Sequence, residues 1–384
     1  MKRVFLSSLI VLFSSFLILA ETTSGTDQSL LEQGIQLKNQ GKLAEAFDAL
    51  SAIKIKFPDS TLLPAAEYEI GLTLLYDNRP VEAALQFQKV ISKFPSSEQA
   101  RLALNMNAIL YRLYIVPAAN RRVFVPDAGY SAILTEMDEP VGMVMDSEGK
   151  LYLSDRGKKL LYTFDPTGKM INSATILSPS SMSVTAKNDV LIGNDTNLYI
   201  TTSEAVSFPK INPETKARTG YLEQIRSAAR NNNGDYFVIS GKSPGVLVFD
   251  SERNPLSKTI GRPEDYEKVL VNSMNNIHLL NRKGDSLQVY DPEGKSLFAL
   301  SKTGREMTFG KFEDFAVDAA NHIYILTNNP KGVLIYSSQG KFLKFLGSEK
   351  TGPVFLDDSK LIAVGPAGSI YVLDKGIKRI LKLG

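Results

Sequence analysis

The sequence predicts a multidomain chain, an all-α helical repeat followed by an all-β ring of six four-stranded units. Three observations predict it. A 37-residue spacing recurs within residues 28–120, a spacing of about 44 residues recurs within 121–384, and helical periodicity gives way to short strands after Pro117. The chain has 384 residues, long for one ordinary core, with 43% hydrophobic and 22% charged residues, an ordinary globular balance.

The first element is an export signal. Lys2 and Arg3 precede an apolar run from Val4 to Leu19, diluted by serines at 7, 8, 14 and 15, and Ala20 stands before a polar stretch from Glu21 to Asp27. Basic, apolar, small, polar is the order of a secretory signal peptide. Residues 1–20 are therefore expected to be removed after Ala20, leaving 21–27 as a polar linker. The alternative, an uncleaved anchor, needs about 20 apolar residues, more than this run holds. The expected location is the bacterial periplasm or outside, with no integral membrane span in the mature form. There is no cysteine, which excludes a lipoprotein anchor, disulfides and thiolate metal sites. Nucleic acid is not an expected partner of an exported protein.

The helical third carries an internal repeat. Gly34 is followed by Leu37, Gly41, Ala46, Leu50, Ile53 and Pro58, and Gly71 by Leu74, Asn78, Ala83, Phe87, Val90 and Pro95, at the same offsets. Each copy reads as two helices, with small residues at Gly34, Ala46, Gly71 and Ala83 where the pair approaches closely. Pro58 and Pro95 stop the second helices, and a further first helix is expected at about 97–115. This pattern, with its FPDS and FPSS turns, resembles the tetratricopeptide repeat, in the form found in envelope-assembly proteins. The resemblance implies a concave groove for partner segments. Its lining would be Leu31, Ile35, Lys38 and Asn39, then Tyr68, Leu72, Leu75 and Tyr76, then Asn105, Ile109 and Arg112.

The β-rich remainder repeats a strand, a polar turn, a strand with an aromatic, a loop and a further strand, clearest at 140–170 and 312–343. The second-strand landmarks are Tyr152, Tyr236, His278, Tyr324 and Tyr371, with a degenerate unit near Ile192. Six units of four antiparallel strands make a ring. The last unit holds three strands, and 121–134 is expected to supply the fourth and lock the first unit to the last. Asp146, Gly149, Tyr152 and Asp155 resemble the NHL repeat. So do Asp318, Tyr324 and Ile325, where Asn321 and His322 depart from the usual glycine, and Gly368, Tyr371 and Asp374. The resemblance implies a six-bladed β-propeller; function is grafted on such folds by their loops.

Little here carries chemistry. His278 and His322 are the only histidines, too few for a zinc site or a histidine-dependent lyase. Asp146, Asp318, Asn272 and Asn275 are the residues a calcium-dependent lactonase site would draw on, but both aspartates occupy the turn after a first strand. No catalytic residue, cofactor or metal is expected. One constellation rises above this background. The loops joining second to third strands open on one face and carry Arg156, Lys158, Lys159, Lys242, Arg282, Lys283, Lys331, Lys375, Lys378 and Arg379 against Asp155, Asp195, Asp285 and Asp374. A basic face of this kind attracts an acidic protein or an anionic envelope polymer. The expected function is a non-catalytic protein–protein interaction scaffold of the bacterial periplasm or cell envelope, using the groove and this face. The rivals are a cation-dependent propeller hydrolase or lactonase with a site in the central channel, and a sensor for a small ligand there.

Overall fold

The structure, a computed structural model, describes residues 26–116, 124–130, 137–201, 203–212, 217–241, 245–262, 266–281, 283–303, 308–347 and 356–384. The signal segment 1–20 and most of the linker lie outside them, as do Lys242 and Arg282. The chain divides into two compact units, 1–115 and 116–384. No helix among the described residues is long and apolar enough to cross a membrane.

The described residues of the first unit form five α-helices, α1 (Asp27–Asn39), α2 (Leu43–Lys56), α3 (Leu63–Tyr76), α4 (Pro80–Lys93) and α5 (Glu98–Leu110). Helix α1 starts where its cap allows. Thr26 Oγ1 accepts from the Ser29 amide at 3.1 Å, and Ser29 Oγ accepts from the Thr26 amide at 3.2 Å. The last residues assigned to the linker are thus the cap and first turn of a helix. Helices α2 and α4 end at Lys56 and Lys93, one residue before the Phe-Pro pairs, because the residue before a proline is driven out of the helical region. Ser97 caps α5, which runs into a single π-helical turn at Tyr111–Ile115.

The two small-residue positions explain how each pair closes. A Cβ on Gly34 would stand 2.5 Å from Leu50 Cγ, and one on Gly71 would stand 2.5 Å from Phe87 Cε1. Leu50 and Phe87 are fully buried against these glycines. Gly71→Ala gains helix propensity of about 1 kcal/mol but drives a methyl into the Phe87 ring. A net loss of about 1–3 kcal/mol is expected, read as a lower midpoint of the helical circular-dichroism signal. Gly71→Ala combined with Phe87→Leu should recover most of it.

The second unit is a six-bladed β-propeller. The blades span 140–175, 182–206, 225–260, 266–301, 312–347 and 359–383, and every sheet runs in sequence order with antiparallel pairing. Among the described residues, blades one to five have four strands and blade six has three. Pro126 bridges Leu383 antiparallel, with the Asp127 amide donating to Lys382 O at 2.8 Å and the Gly384 amide to Val125 O at 3.2 Å. A segment from before blade one therefore lies on the outer strand of blade six. Residues 121–123 and 131–134 of the expected closing segment lie outside the described residues. Between blades two and three sits a two-stranded ribbon, Pro209–Ile211 with Arg218–Tyr221, that the repeat pattern did not announce.

The register corrects one landmark. Tyr152 pairs with Val144, His278 with Leu270, Tyr324 with Ala316 and Tyr371 with Ala363. The equivalent pairs in blades three and two are Phe237 with Ala229 and Leu191 with Ser183. Tyr236 is one residue off, while Leu191 lies next to Ile192, where the degenerate unit was expected. Two adjacent aromatics in blade three hid which one is homologous in place, and one step along a strand changes the face.

Polar groups stitch the innermost strands across the seams. Ser183 Oγ donates to Ala228 O at 2.7 Å, and Ser227 Oγ accepts from the Val269 amide at 3.1 Å. Lys268 Nζ reaches Asp314 Oδ1 at 2.7 Å and Phe315 O at 2.9 Å, and Asp314 Oδ2 accepts from the Ile362 amide at 3.0 Å. Backbone groups on an inner sheet edge, which have no ladder partner, are satisfied this way.

Candidate partner-binding surfaces

In the helical unit, Leu31, Lys38, Tyr68, Leu72, Leu75, Tyr76 and Ile109 are buried, Ile35, Asn105 and Arg112 are half-buried, and Asn39 is exposed. Lys38 makes an ion pair with Glu69 at 2.6 Å and lies 5.6 Å from the centre of the Tyr76 ring. Tyr68 packs on Phe87 at 5.4 Å between ring centres. Helix α3, which carries four of these positions, is buried almost all round. Among the expected groove residues, those with solvent contact are Asn39, Ile35, Asn105 and Arg112.

In the propeller, the aspartates that close the second strands of blades one and six are structural. Asp155 is fully buried and accepts from the amides of Asp138 (2.8 Å), Glu139 (3.0 Å) and Lys158 (3.0 Å). Asp374, equally buried, accepts from the amides of Asp357, Asp358, Gly376 and Ile377 and from Ser359 Oγ. Each carboxylate ties a second-to-third-strand loop to the loop that enters its own blade.

That tie overturns the charge count. The entering loops open on the same face and bring Asp138, Glu139, Glu223, Glu313, Asp357 and Asp358 to it. Arg156 pairs with Glu139 at 3.0 Å and Lys331 with Asp357 at 3.3 Å, while Lys375 Nζ donates to Asp138 O at 3.2 Å. Asp155 and Asp374, counted as acids of the face, are inside it. The face is mixed in sign rather than uniformly basic, because the entering loops add acids that a count over the second-to-third-strand loops alone leaves out. The exposed cations Lys158, Lys159, Lys283, Lys378 and Arg379 have no ionic partner among the described residues. Four of these belong to blades one and six, which the Lys375–Asp138 contact shows to be neighbours.

The turns after the first strands hold no open ligand set. Asp146 Oδ1 accepts from the amides of Glu148 and Lys150, both at 2.9 Å, and Oδ2 from Tyr152 Oη at 3.2 Å. Asp318 does the same with the Ala320 and His322 amides, while its Oδ2 meets Tyr324 Oη at 3.0 Å and His322 Nδ1 at 2.9 Å. Asn272 Oδ1 accepts from Met274 and Asn276. Asn275 and Asn321 stand where Gly149 stands in blade one, at φ of +62° and +65° against +83°. Asparagine tolerates that left-handed conformation, so the departure from glycine keeps the turn. No group of three or more His, Cys, Asp or Glu among the described residues is placed to hold a metal.

His278 is wholly buried beside Phe315, with Nδ1 3.2 Å from Asn276 O. Burial lowers its pKa to about 4 from an ordinary 6.5. Below pH 6.5 the unfolded chain takes up a proton that the folded ring refuses, so stability is lost as pH falls from 6.5 towards 4. The loss from this residue amounts to about 3 kcal/mol at 1.36 kcal/mol per unit. Guanidinium unfolding at pH 7 and pH 4 should show His278→Gln less acid-sensitive than the parent by that margin.

On the propeller axis lies a cavity of about 280 Å³, lined by first-strand residues of all six blades. Its walls include Met145, Val184, Ala229, Leu270, Ala316 and Val364, its inner end Lys268, and its rim turn residues such as Asn188, Asn232 and Ser273. The Lys268–Asp314 pair beside it went unread in the sequence. The one available signal was a lysine in the strand Tyr266–Val271, just before its apolar residues Val269–Val271, at the place Gly142 occupies in blade one.

Residues 28–60 match the family model of the tetratricopeptide repeat. No curated protein matches the sequence. Among solved structures, a streptogramin B lyase is similar over 68% of this chain and 97% of its own, with 9% identity and a TM-score of 0.47. A gluconolactonase from Xanthomonas campestris is similar over 68% and 93%, with 10% identity and a TM-score of 0.49. Regucalcin, a calcium-binding protein from Agrobacterium tumefaciens, is similar over 68% and 93%, with 13% identity and a TM-score of 0.45.

Proposed function

We propose that this chain, tetratricopeptide-like helices joined to a six-bladed propeller, is a non-catalytic interaction scaffold that works in the bacterial periplasm after export. The observation that carries the reading is the contrast between its polar groups. The carboxylates that a catalytic or metal site would use are bound to backbone amides or neighbouring side chains. Lys158, Lys159, Lys378 and Arg379 are exposed at one seam with no ionic partner among the described residues. A local cluster of unneutralised cations favours an acidic protein segment or anionic polymer, with strength that falls as salt rises. Helical repeats serve the same end, since stacked units present extended binding surfaces.

The test is a four-site charge reversal, Lys158→Glu, Lys159→Glu, Lys378→Glu and Arg379→Glu, in the full chain. Polyglutamate on a sensor surface should bind the parent at low salt and release at high salt, and should not bind the variant. Equal binding by both would remove the seam from the proposal. A rise in melting temperature with calcium, reversed by chelator, would remove the non-catalytic reading in favour of a cation-dependent hydrolase. Export is checked by the mass of the mature protein from the periplasm, which should begin at Glu21.

A further inference from the structure

We infer that the axial cavity of the propeller is a binding site for a small, neutral, mostly apolar molecule carrying one hydrogen-bond acceptor. Three features of the cavity lead there. Most of its lining is apolar, with Met145, Leu270, Ala316 and Val364 contributed by four different blades, and turn residues such as Asp146, Asn188, Asn232 and Asp318 add polar groups. Its inner end holds Lys268, whose side chain is 6% exposed. An ammonium has three N–H donors and no acceptor. Asp314 Oδ1 and Phe315 O accept two of them, and the third has no acceptor among the described residues. A buried donor of this kind is worth pairing, because leaving it unpaired is costly.

The charge state of the ligand follows from the pair. Asp314, 2.7 Å away and equally buried, neutralises Lys268, so the inner end has no net charge to offset a buried carboxylate. The other cation lining the cavity, Arg230, is turned to its own blade, with Nε on Gly234 O at 3.0 Å and its guanidinium 4.8 Å from the Tyr236 ring centre. A cationic ligand would face the ammonium directly, and the carboxylates that also line the cavity, Asp146 and Asp318, are already bonded to turn amides and to Tyr152, Tyr324 and His322. A ketone, ester or alcohol of short chain length meets all these conditions. A largely apolar lining with a few placed polar groups is the general form of a small-molecule site. This site is independent of the charged seam on the loop face, so either proposal can fail alone.

Methyl-labelled methionine in the full chain gives the readout, since Met143 and Met145 both line the cavity. Titration with 2-hexanone should shift these two methyl resonances to saturation, and hexylamine should leave them unmoved. The double variant Lys268→Met, Asp314→Leu removes the ammonium and its counter-charge together and should weaken 2-hexanone by at least tenfold. Ala316→Leu fills the cavity while leaving the ion pair and should abolish the shifts. No saturable shift in the parent, or hexanoate binding in place of the ketone, would overturn the inference. So would unchanged affinity in the double variant.

Discussion

Lys268→Ala is expected to destabilise the propeller by about 3–5 kcal/mol, the largest effect of any single substitution considered. The side chains of Lys268 and Asp314 are 6% and 5% exposed, so truncating the lysine leaves a carboxylate in the ring's interior with no cation. The same change removes the donor to Phe315 O and loosens the group that accepts from Ile362, so the seams from blade four to blade six weaken together. The pair itself is a different matter. Lys268→Met with Asp314→Leu removes both charges, and buried ion pairs exchanged for apolar residues of similar volume cost little or nothing. The double variant should fold and lie well above Lys268→Ala in stability. Guanidinium unfolding read by hydrogen-exchange mass spectrometry separates ring peptides from helical ones, which a single global probe does not. Equal loss in the single and double variants would show that packing, not charge, holds this seam.

Asp374→Ala is expected to cost about 3 kcal/mol or more, because one fully buried carboxylate serves four backbone amides and a hydroxyl. Asp374→Asn keeps one accepting oxygen and puts an NH2 against donors, so it should recover only part of the loss. Hydrogen exchange should rise in both loops the carboxylate joins, around 357–359 and 376–377. Asp250→Ala is the control, since its carboxylate makes similar bonds to Glu252 and Asn254 at an exposed turn where water replaces it. A purely local change at 376–377 would mean that the carboxylate does not link the loops.

Much of this architecture can be read from the order of residues because it depends on short-range rules. The glycine at Gly34 and Gly71 marks helix contact wherever it recurs at the same offset, and Leu50 and Phe87 do occupy the space. The first-turn aspartates Asp146 and Asp318 bond to amides two and four residues on and to a tyrosine six on, so their roles lie within seven residues of sequence. The exact landmark of blade three was less legible, since Tyr236 and Phe237 are alike in hydrophobicity and differ only in the face they take.

What the sequence by itself determined is therefore the repeat periods, the blade number and the turn chemistry, all fixed by residues close along the chain. Tertiary structure alone decided the sign of the loop face, where Glu139 meets Arg156 and Asp357 meets Lys331. It also decided the fate of Lys268, whose partner lies in the next blade. Strand pairing and ring closure bring together groups from 17 residues apart, as for Glu139 and Arg156, to a whole blade apart, as for Lys268 and Asp314, and Coulomb and hydrogen-bond energies depend on that final distance, not on the path of the chain between them.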